Sequence, residues 1–242
     1  MPELVDTLVA CAREIGEAVV AHRGRGHSGA RASQYHLDVA ADEVAVRVLT
    51  GAGYRVVSEE SGVSGDGDVT IVVDPIDGST NCDRGVPFYA TSLAALRGVE
   101  LVAGVVVNQA TGECFSAEVG AGATRDGVPV APSDQGQLAG ALMCFSGYPA
   151  RHAGWSQIRA LGAAALEICL VADGSLDLFA VARESRLHPW DYLAGICVAR
   201  ESGAAVGEYD GAELVTDEPV ARRLVVAATP ALLESALAFG RL

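Results

Sequence analysis

The stretch Ile71-Val72-Val73-Asp74-Pro75-Ile76-Asp77-Gly78-Ser79-Thr80-Asn81 decides how this chain is read. Three β-prone apolar residues form a buried strand that delivers a carboxylate, Asp74, at its end. Pro75 has no N–H and a fixed φ, so it interrupts strand pairing. Asp77 follows three residues after the first acid. Gly78 permits an unusual backbone angle or a close approach, and Ser79 and Thr80 are helix-start residues. The segment therefore sets two acids beside a helix N-terminus. Two ionised carboxylates about 4 Å apart repel by about 4 kcal/mol at an effective dielectric of 20, so they share a proton or hold a cation. The helix start offers free N–H groups and a positive dipole to an anion. Acids on one side and amides on the other fit a metal-bridged phosphate, and an all-oxygen ligand set favours Mg²⁺ over Zn²⁺. The same residues also suit a plain turn with a capping Asp, so the flanking sequence has to decide.

Upstream, residues 54–57 are a short strand candidate followed by Ser58-Glu59-Glu60-Ser61-Gly62, which is either a solvated loop or a second source of acids. Residues 3–22 carry Leu4, Leu8, Cys11, Ile15 and Val19 at helical spacing, and a second helix is predicted over 39–50 with Val44, Val48 and Leu49 inward. Between them RGRGHSGARAS at 23–33 reads as a mobile loop, its basic charge a solvated face or a nucleic-acid contact. Downstream, 88–130 alternates apolar runs with turn signals, Asp126-Gly127 among them, and predicts an antiparallel meander. The polar connector at 132–140 sets a boundary between an N-terminal α+β domain, 1–135, and a C-terminal α/β domain, 136–242. In the second half, strands over 141–145, 176–180 and 224–228 alternate with helices over 151–161, 163–172, 190–202 and 230–239. His188-Pro189-Trp190-Asp191 opens one of these helices. Asp191 there is a first-turn acid favoured by the helix dipole, or a third source of carboxylate.

With 242 residues and 50% hydrophobic composition, the chain can bury a sizeable core, and 5% aromatics means that core is built from small side chains. A net charge of −14 repels nucleic acid, and it repels a phosphate ester unless cations intervene. The cysteines at 11, 82, 114, 144, 169 and 197 have no zinc-type spacing and suit free thiols in a reducing cytosol, so a cytoplasmic location is expected. The N-terminus shows no basic region followed by an apolar block, and no long uncharged apolar run exists. Neither a signal peptide nor a membrane span is predicted.

Taken together, SEESG at 58–62, the strand ending in DPIDGSTN at 74–81 and PWDYLAG at 189–195 resemble, in order and spacing, the three motifs of the inositol monophosphatase family. GVVVNQATGECFSAEVGAGATRDG at 104–127 resembles that family's meander, and the similarity runs over nearly the whole chain. The resemblance implies a mixed α+β and α/β fold, the layered α-β-α-β-α sandwich of the inositol monophosphatase/fructose-1,6-bisphosphatase type. It implies a Mg²⁺-dependent phosphomonoester hydrolase that acts on a small phosphorylated metabolite, an inositol or sugar phosphate, by water attack, as a homodimer. By similarity, Glu59, Asp74 and the carbonyl of Ile76 bind one Mg²⁺, and Asp74, Asp77 and Asp191 a second. The N–H groups of Gly78 and Ser79 hold the phosphate, with Thr80 beside them. The Ser79 hydroxyl stands where the family usually has Thr, and it orients the water, with Glu59 as proton acceptor. Asp42, in AADE, resembles an acid near the metals and that water. Asp191 anchors the metal nearest the leaving oxygen. Glu184 is the nearest match to an acid that holds substrate hydroxyls, in a segment, 179–191, slightly longer than the family's. Cys82 departs from the pattern, where many members carry an aromatic residue. Arg183, Arg186 and His188 crowd the same loop, either solvated or gripping a second anionic or polar group.

Other readings remain. A phosphatase of the same fold could act on a nucleotide, an aminonucleoside phosphate or histidinol phosphate. An Asp-nucleophile phosphatase wants Asp-x-Asp after a strand, whereas the spacing here is Asp-x-x-Asp. A non-catalytic binding protein of this fold predicts missing ligands, yet Glu59, Asp74, Asp77 and Asp191 are all acidic.

Overall fold

Residues 2–29, 31 and 34–240 are described by the structure, a computed structural model. Of the loop expected over 23–33, Ala30, Ala32 and Ser33 lie outside the described residues. Its described part folds back, with His27 bridging Tyr35 and their rings stacked 4.3 Å apart.

The N-terminal half begins with helices α1 (Pro2–Val20) and α2 (His36–Gly51). An eight-stranded sheet follows: β1 (Arg55–Ser58), β2 (Gly62–Ser64), β3 (Val69–Asp77), then, after the short helix α3 (Ser79–Arg84), β4 (Ala90–Arg97), β5 (Glu100–Asn108), β6 (Cys114–Glu118), β7 (Gly122–Arg125) and β8 (Val128–Pro129). Its order is β2-β1-β3-β4-β5-β6-β7-β8, antiparallel from β3 through β8, with β1 parallel to β3. The meander read from the sequence is therefore present.

The C-terminal half contains β9 (Leu142–Ser146), β10 (Gln157–Arg159), α4 (Ala164–Ala172), β11 (Leu178–Val181), α5 (Pro189–Ser202), β12 (Ala205–Glu208), β13 (Leu224–Ala227) and α6 (Pro230–Gly240). Its five strands run in the order β10-β9-β11-β13-β12.

Side-chain alternation along the strands builds the layers. On the first sheet Ile71, Val73, Leu93, Ala95, Val105 and Val107 face one core with Leu8, Ile15, Leu37 and Leu49 of α1 and α2. Val72, Ala94, Leu96, Val106 and Phe115 face the opposite core with α4 and α5. Phe179, Val181, Leu224 and Val226 of the second sheet join that same core from its other side. Leu178, Ala180, Val225 and Ala227 turn away toward Leu232 and Ala236 of α6. The result is the expected α-β-α-β-α sandwich. The expected boundary near 135 falls between the two sheets, yet α4 and α5 of the second half pack on the first sheet, so the halves share one core.

Close approach of α5 to that sheet depends on Gly104 of β5, where a Cβ would stand 2.6 Å from the Ala194 carbonyl oxygen and 2.7 Å from Cys197 Cβ. This glycine sets how deep α5 sits, and α5 begins at the Pro-Trp-Asp motif.

Residues 151–161 do not form the expected helix. Gly154 has φ +89°, and both ring nitrogens of His152 bond locally, Nδ1 accepting from the Gly154 N–H at 3.1 Å and Nε2 lying 3.1 Å from the Trp155 carbonyl oxygen. Side-chain bonds of this kind compete with a helical ladder. Trp155 is buried against Phe145 and Phe239, and Gln157–Arg159 leaves as the edge strand β10 beside β9. The two other unanticipated strands, β2 and β12, are also short sheet edges.

Candidate active site

The central strand β3 carries the first two acids. It pairs with β4 up to Asp74–Ser92, skips a residue, and resumes at Asp77–Ala90. Pro75 sits in that bulge, where a missing N–H costs no ladder bond. The Pro75 carbonyl instead accepts the Thr91 hydroxyl at 2.8 Å. The next hydroxyl on β4, Ser92, donates to the Trp190 carbonyl at 2.9 Å and so pins the first turn of α5. Neighbouring β4 side chains thus fix the segment between Asp74 and Asp77 and the residue before Asp191.

Glu59 follows the end of β1, its N–H bonded to the Val73 carbonyl, so two adjacent parallel strands end in acids side by side. Asp191 enters at the third position of α5. One of its oxygens accepts the His188 N–H at 2.7 Å, a capping bond, and a second oxygen is left for the cluster. Ligand oxygens of Glu59, Asp74 and Asp191 lie within 4.8 Å of one another. Asp74 is buried and its Oδ1 has no hydrogen-bond partner. A buried carboxylate oxygen without a donor is costly unless a cation satisfies it.

Asp77 is buried, and its Oδ2 accepts the Ala165 N–H of α4 at 2.7 Å. Ala163 precedes that helix with no capping side chain, so Asp77 supplies from the first sheet the acceptor that α4 lacks.

Burial and mutual repulsion hold these acids toward their protonated forms. Burial, then Glu59 and Asp77, push Asp74 well above the usual carboxylate range. Burial, offset by the Ala165 bond, pushes Asp77 up to about 7, and burial with the charge of Asp77 takes Asp191 to about 7. Glu59 is exposed over much of its length, but its carboxyl end faces the cluster. Desolvation there, and then Asp191, Glu60 and Asp38, raise it to about 8.

The remaining expected residues divide. Gly78 caps α3 with φ +90°, and a Cβ there would meet the Gly162 carbonyl oxygen at 2.8 Å, so the position needs glycine for both angle and space. Ser79 Oγ donates to the Ile76 carbonyl at 2.8 Å. Thr80 is exposed, its hydroxyl 3.0 Å from the Tyr35 hydroxyl. Asp42 is not at the Ser79 hydroxyl. It is buried and accepts the Ser58 hydroxyl instead. Asp38, one helical turn earlier, lies nearer to Ser79. Its Oδ2 accepts the Tyr35 N–H at 2.8 Å, its Oδ1 has no hydrogen-bond partner, and burial, opposed by the nearby Ser79 hydroxyl, raises it to about 6. Glu60 turns away to Arg31 and Gln34. Glu184 is exposed and is not part of the pocket wall.

Beside the cluster lies a pocket of about 260 Å³ walled by Asp77, Ser146, Gly147, Ala164, Glu167 and Asp191, among others. Glu167 went unrecognised in the sequence, inside an apolar helical run. Buried, it accepts the Leu161 and Gly162 N–H groups at 2.6 and 3.0 Å. Asn81 holds the same loop, donating to the Phe88 and Leu161 carbonyls at 2.8 Å. A wider depression of about 760 Å³ between α1 and β5–β7 contains none of the cluster acids. All six cysteines are free, and burial pushes the Cys82 thiol up to about 11, so it stays a protonated packing group. Among the described residues no helix is long and apolar enough to cross a membrane.

Comparison with known proteins agrees with this geometry. The chain is 38% identical over 181 residues to the fructose-1,6-bisphosphatase/inositol-1-monophosphatase of Archaeoglobus fulgidus, covering 73% of this chain and 71% of that protein. It is 28% identical to the Nus factor SuhB of Xylella fastidiosa, covering 86% of this chain and 83% of that protein. A solved structure from Pyrococcus horikoshii, described as having similarities to inositol-1 monophosphatase, superposes with a TM-score of 0.84 at 26% identity, over 97% of this chain and 98% of that one. The family profile matches residues 3–239, and the chain belongs to the inositol monophosphatase family.

Proposed function

We propose that the protein hydrolyses the phosphate monoester of a small polyol, an inositol or a sugar, with Mg²⁺ as cofactor. As a member of this family it is a phosphoric monoester hydrolase. The observation that carries the finer reading is the convergence of Glu59, Asp74 and Asp191, with one Asp74 oxygen lacking any donor. The donor set fits a hard divalent ion, because carboxylates and the Ile76 carbonyl are offered and no His or Cys joins them. Glu59, Asp74, Ile76, Asp77 and Asp191 would hold it. Mg²⁺ bound there would supply charge neutralisation for the phosphoryl group and make a water easier to deprotonate.

The chain's own residues do the rest. Glu59, with its raised proton affinity and open outer side, is placed to take a proton from an attacking water. Ser79, held through its hydroxyl by the Ile76 carbonyl, orients that water, with Asp38 close by. The N–H groups of Gly78 and Ser79 face the phosphate, and Asp191 lies on the leaving-group side. The small side chains at Ser146, Gly147 and Ala164, in a pocket of about 260 Å³, suit a compact hydroxylated ring. A homodimer, a cytoplasmic location and the absence of a nucleic-acid partner belong to the same proposal. The net charge of −14 supports the last of these.

A phosphate-release panel tests the reading: myo-inositol 1-phosphate, glucose 1-phosphate, adenosine 3′-phosphate and histidinol phosphate, each with Mg²⁺ or EDTA. We expect Mg²⁺-dependent release, fastest with the first two. Equal release by wild type and Asp77→Asn defeats the reading, and a tenfold preference for the last two moves the substrate class to nucleotides or histidinol phosphate.

A further inference from the structure

A second cavity, of opposite charge, lies at the edge of the C-terminal sheet where β9, β11 and β12 end and β13 begins. It is about 80 Å³, has an aromatic lining from Phe145, Tyr209 and Phe239, and is rimmed by Arg151, Arg183 and Arg223. Three of the 17 basic residues of a chain with net charge −14 therefore meet on one small hollow. Among the described residues none of the three forms an ion pair with an acid.

Two of the guanidinium groups are held against rings. Arg223 lies 4.3 Å over the Tyr209 ring and Arg151 lies 4.8 Å over the Phe239 ring. Stacking fixes the plane of a guanidinium and leaves its N–H edge for an acceptor. Arg223 Nε is buried and has no hydrogen-bond partner, and a buried unpaired donor is costly. A water needs about 10–15 Å³ of such space, so the cavity of about 80 Å³ holds roughly five to eight non-hydrogen atoms. That admits a tetrahedral oxyanion, whose oxygens are matched by guanidinium donors on the cavity rim.

We propose that this cavity is an oxyanion site for a phosphoryl or sulfate group, separate from the acid pocket. The two are neighbours: Phe145 lines both, and Ser146 and Gly147 line the acid pocket alone. The anion is either free in solution or a charged group on a ligand whose other end reaches the acid pocket. The site itself does not rest on the hydrolase reading.

Sulfate binding by the full-length protein in EDTA is the test, because the acid pocket without a cation repels anions. Titration with sodium sulfate, against sodium chloride at matched ionic strength, is read by calorimetry and by Tm. We expect saturable binding that weakens at least tenfold in Arg223→Met and in Arg151→Met, and is unchanged in Arg186→Met, which lies outside the cavity. Arg151 and Arg183 are exposed, so Arg151→Met and Arg183→Met keep the test valid should Arg223→Met fail to fold. A sulfate effect equal to that of chloride, or equal affinity in Arg151→Met and Arg183→Met, overturns the site. The source is read from KM in Mg²⁺ for glucose 1-phosphate against glucose 1,6-bisphosphate. A bisphosphate advantage that disappears in Arg183→Met identifies a group on the ligand, whereas equal KM values with sulfate still bound identify a free anion.

Discussion

Asp74→Asn exchanges the buried central acid for a neutral group of the same shape, and its effect on stability should reverse sign with Mg²⁺. Oxygens of Asp74, Glu59 and Asp191 lie within 4.8 Å of one another. Two unit charges at about 4.8 Å repel by about 3.5 kcal/mol at an effective dielectric of 20. Proton uptake relieves part of this, since the acids of the cluster are held toward their protonated forms. In EDTA at alkaline pH the substitution should therefore stabilise the fold by about 2 kcal/mol, a rise of roughly 4–8 °C in Tm for a chain of this size. A ligand at about 100 times its Kd adds about 2.7 kcal/mol. Mg²⁺ at that level should lift the wild type by a similar amount and leave the variant nearly unmoved, so their order inverts. Scanning calorimetry of both proteins, with EDTA and with excess Mg²⁺, reads the inversion directly. A variant that melts lower than wild type in EDTA, or equal Mg²⁺ shifts in both, would refute the idea that these acids assemble for a cation.

The same acids give the metal-free protein a pH dependence of defined sign. Asp77 and Asp191 near 7 and Glu59 near 8 lie above their unfolded values of 3.8 and 4.5, so the folded state holds protons that the unfolded chain has lost. Stability in EDTA should fall as pH rises from about 4 to about 8 and level off above, and Mg²⁺ should flatten the slope; Tm across that range checks it. Asp38→Asn should lower kcat on the order of 10- to 100-fold, while Asp42→Asn should leave kcat within about twofold and cost about 1 kcal/mol through its Ser58 bond; steady-state rates and melting curves separate the two. Gly104→Ala should cost about 1–3 kcal/mol, because neither the Ala194 carbonyl nor Cys197 Cβ can yield without moving α5. Its kcat should fall as well, since α5 carries Asp191, and an unchanged Tm with full turnover would contradict the packing described. Ser92→Ala should cost about 1 kcal/mol and raise the Mg²⁺ concentration needed for half-maximal activity, measured by metal titration.

What the sequence revealed and what it withheld divide along a physical line. Asp74, Asp77 and Asp191 were legible because strand ends and helix starts place acids by local rules, and Pro75, Gly78 and Pro189 mark those turns. Asp38 and Asp42 are one turn apart on one helix, so only the seating of α2 tells that Asp42 receives the Ser58 hydroxyl while Asp38 receives the Tyr35 N–H. Trp155 and Ile158 imitate a helical stripe, but His152 and Gly154 satisfy the backbone in a different way. Glu167 was hidden because its partners, the Leu161 and Gly162 N–H groups, belong to a loop whose course depends on Asn81. The arginine cavity draws on segments from residue 145 to residue 239, and no local pattern announces it.

The shared position of Asp77, capping α4 while lining the pocket beside Asp191, has a consequence for the order in which the chain becomes competent. A nascent chain that has emerged only as far as the polar connector already contains Glu59, Asp74 and Asp77, but it lacks both α4 and Asp191. Its Asp77 has no Ala165 amide to receive, and its carboxylates have no fourth member. If the proposed site is the catalytic one, such an incomplete chain should not cleave an ester, and turnover should begin only once α4 and α5 have docked.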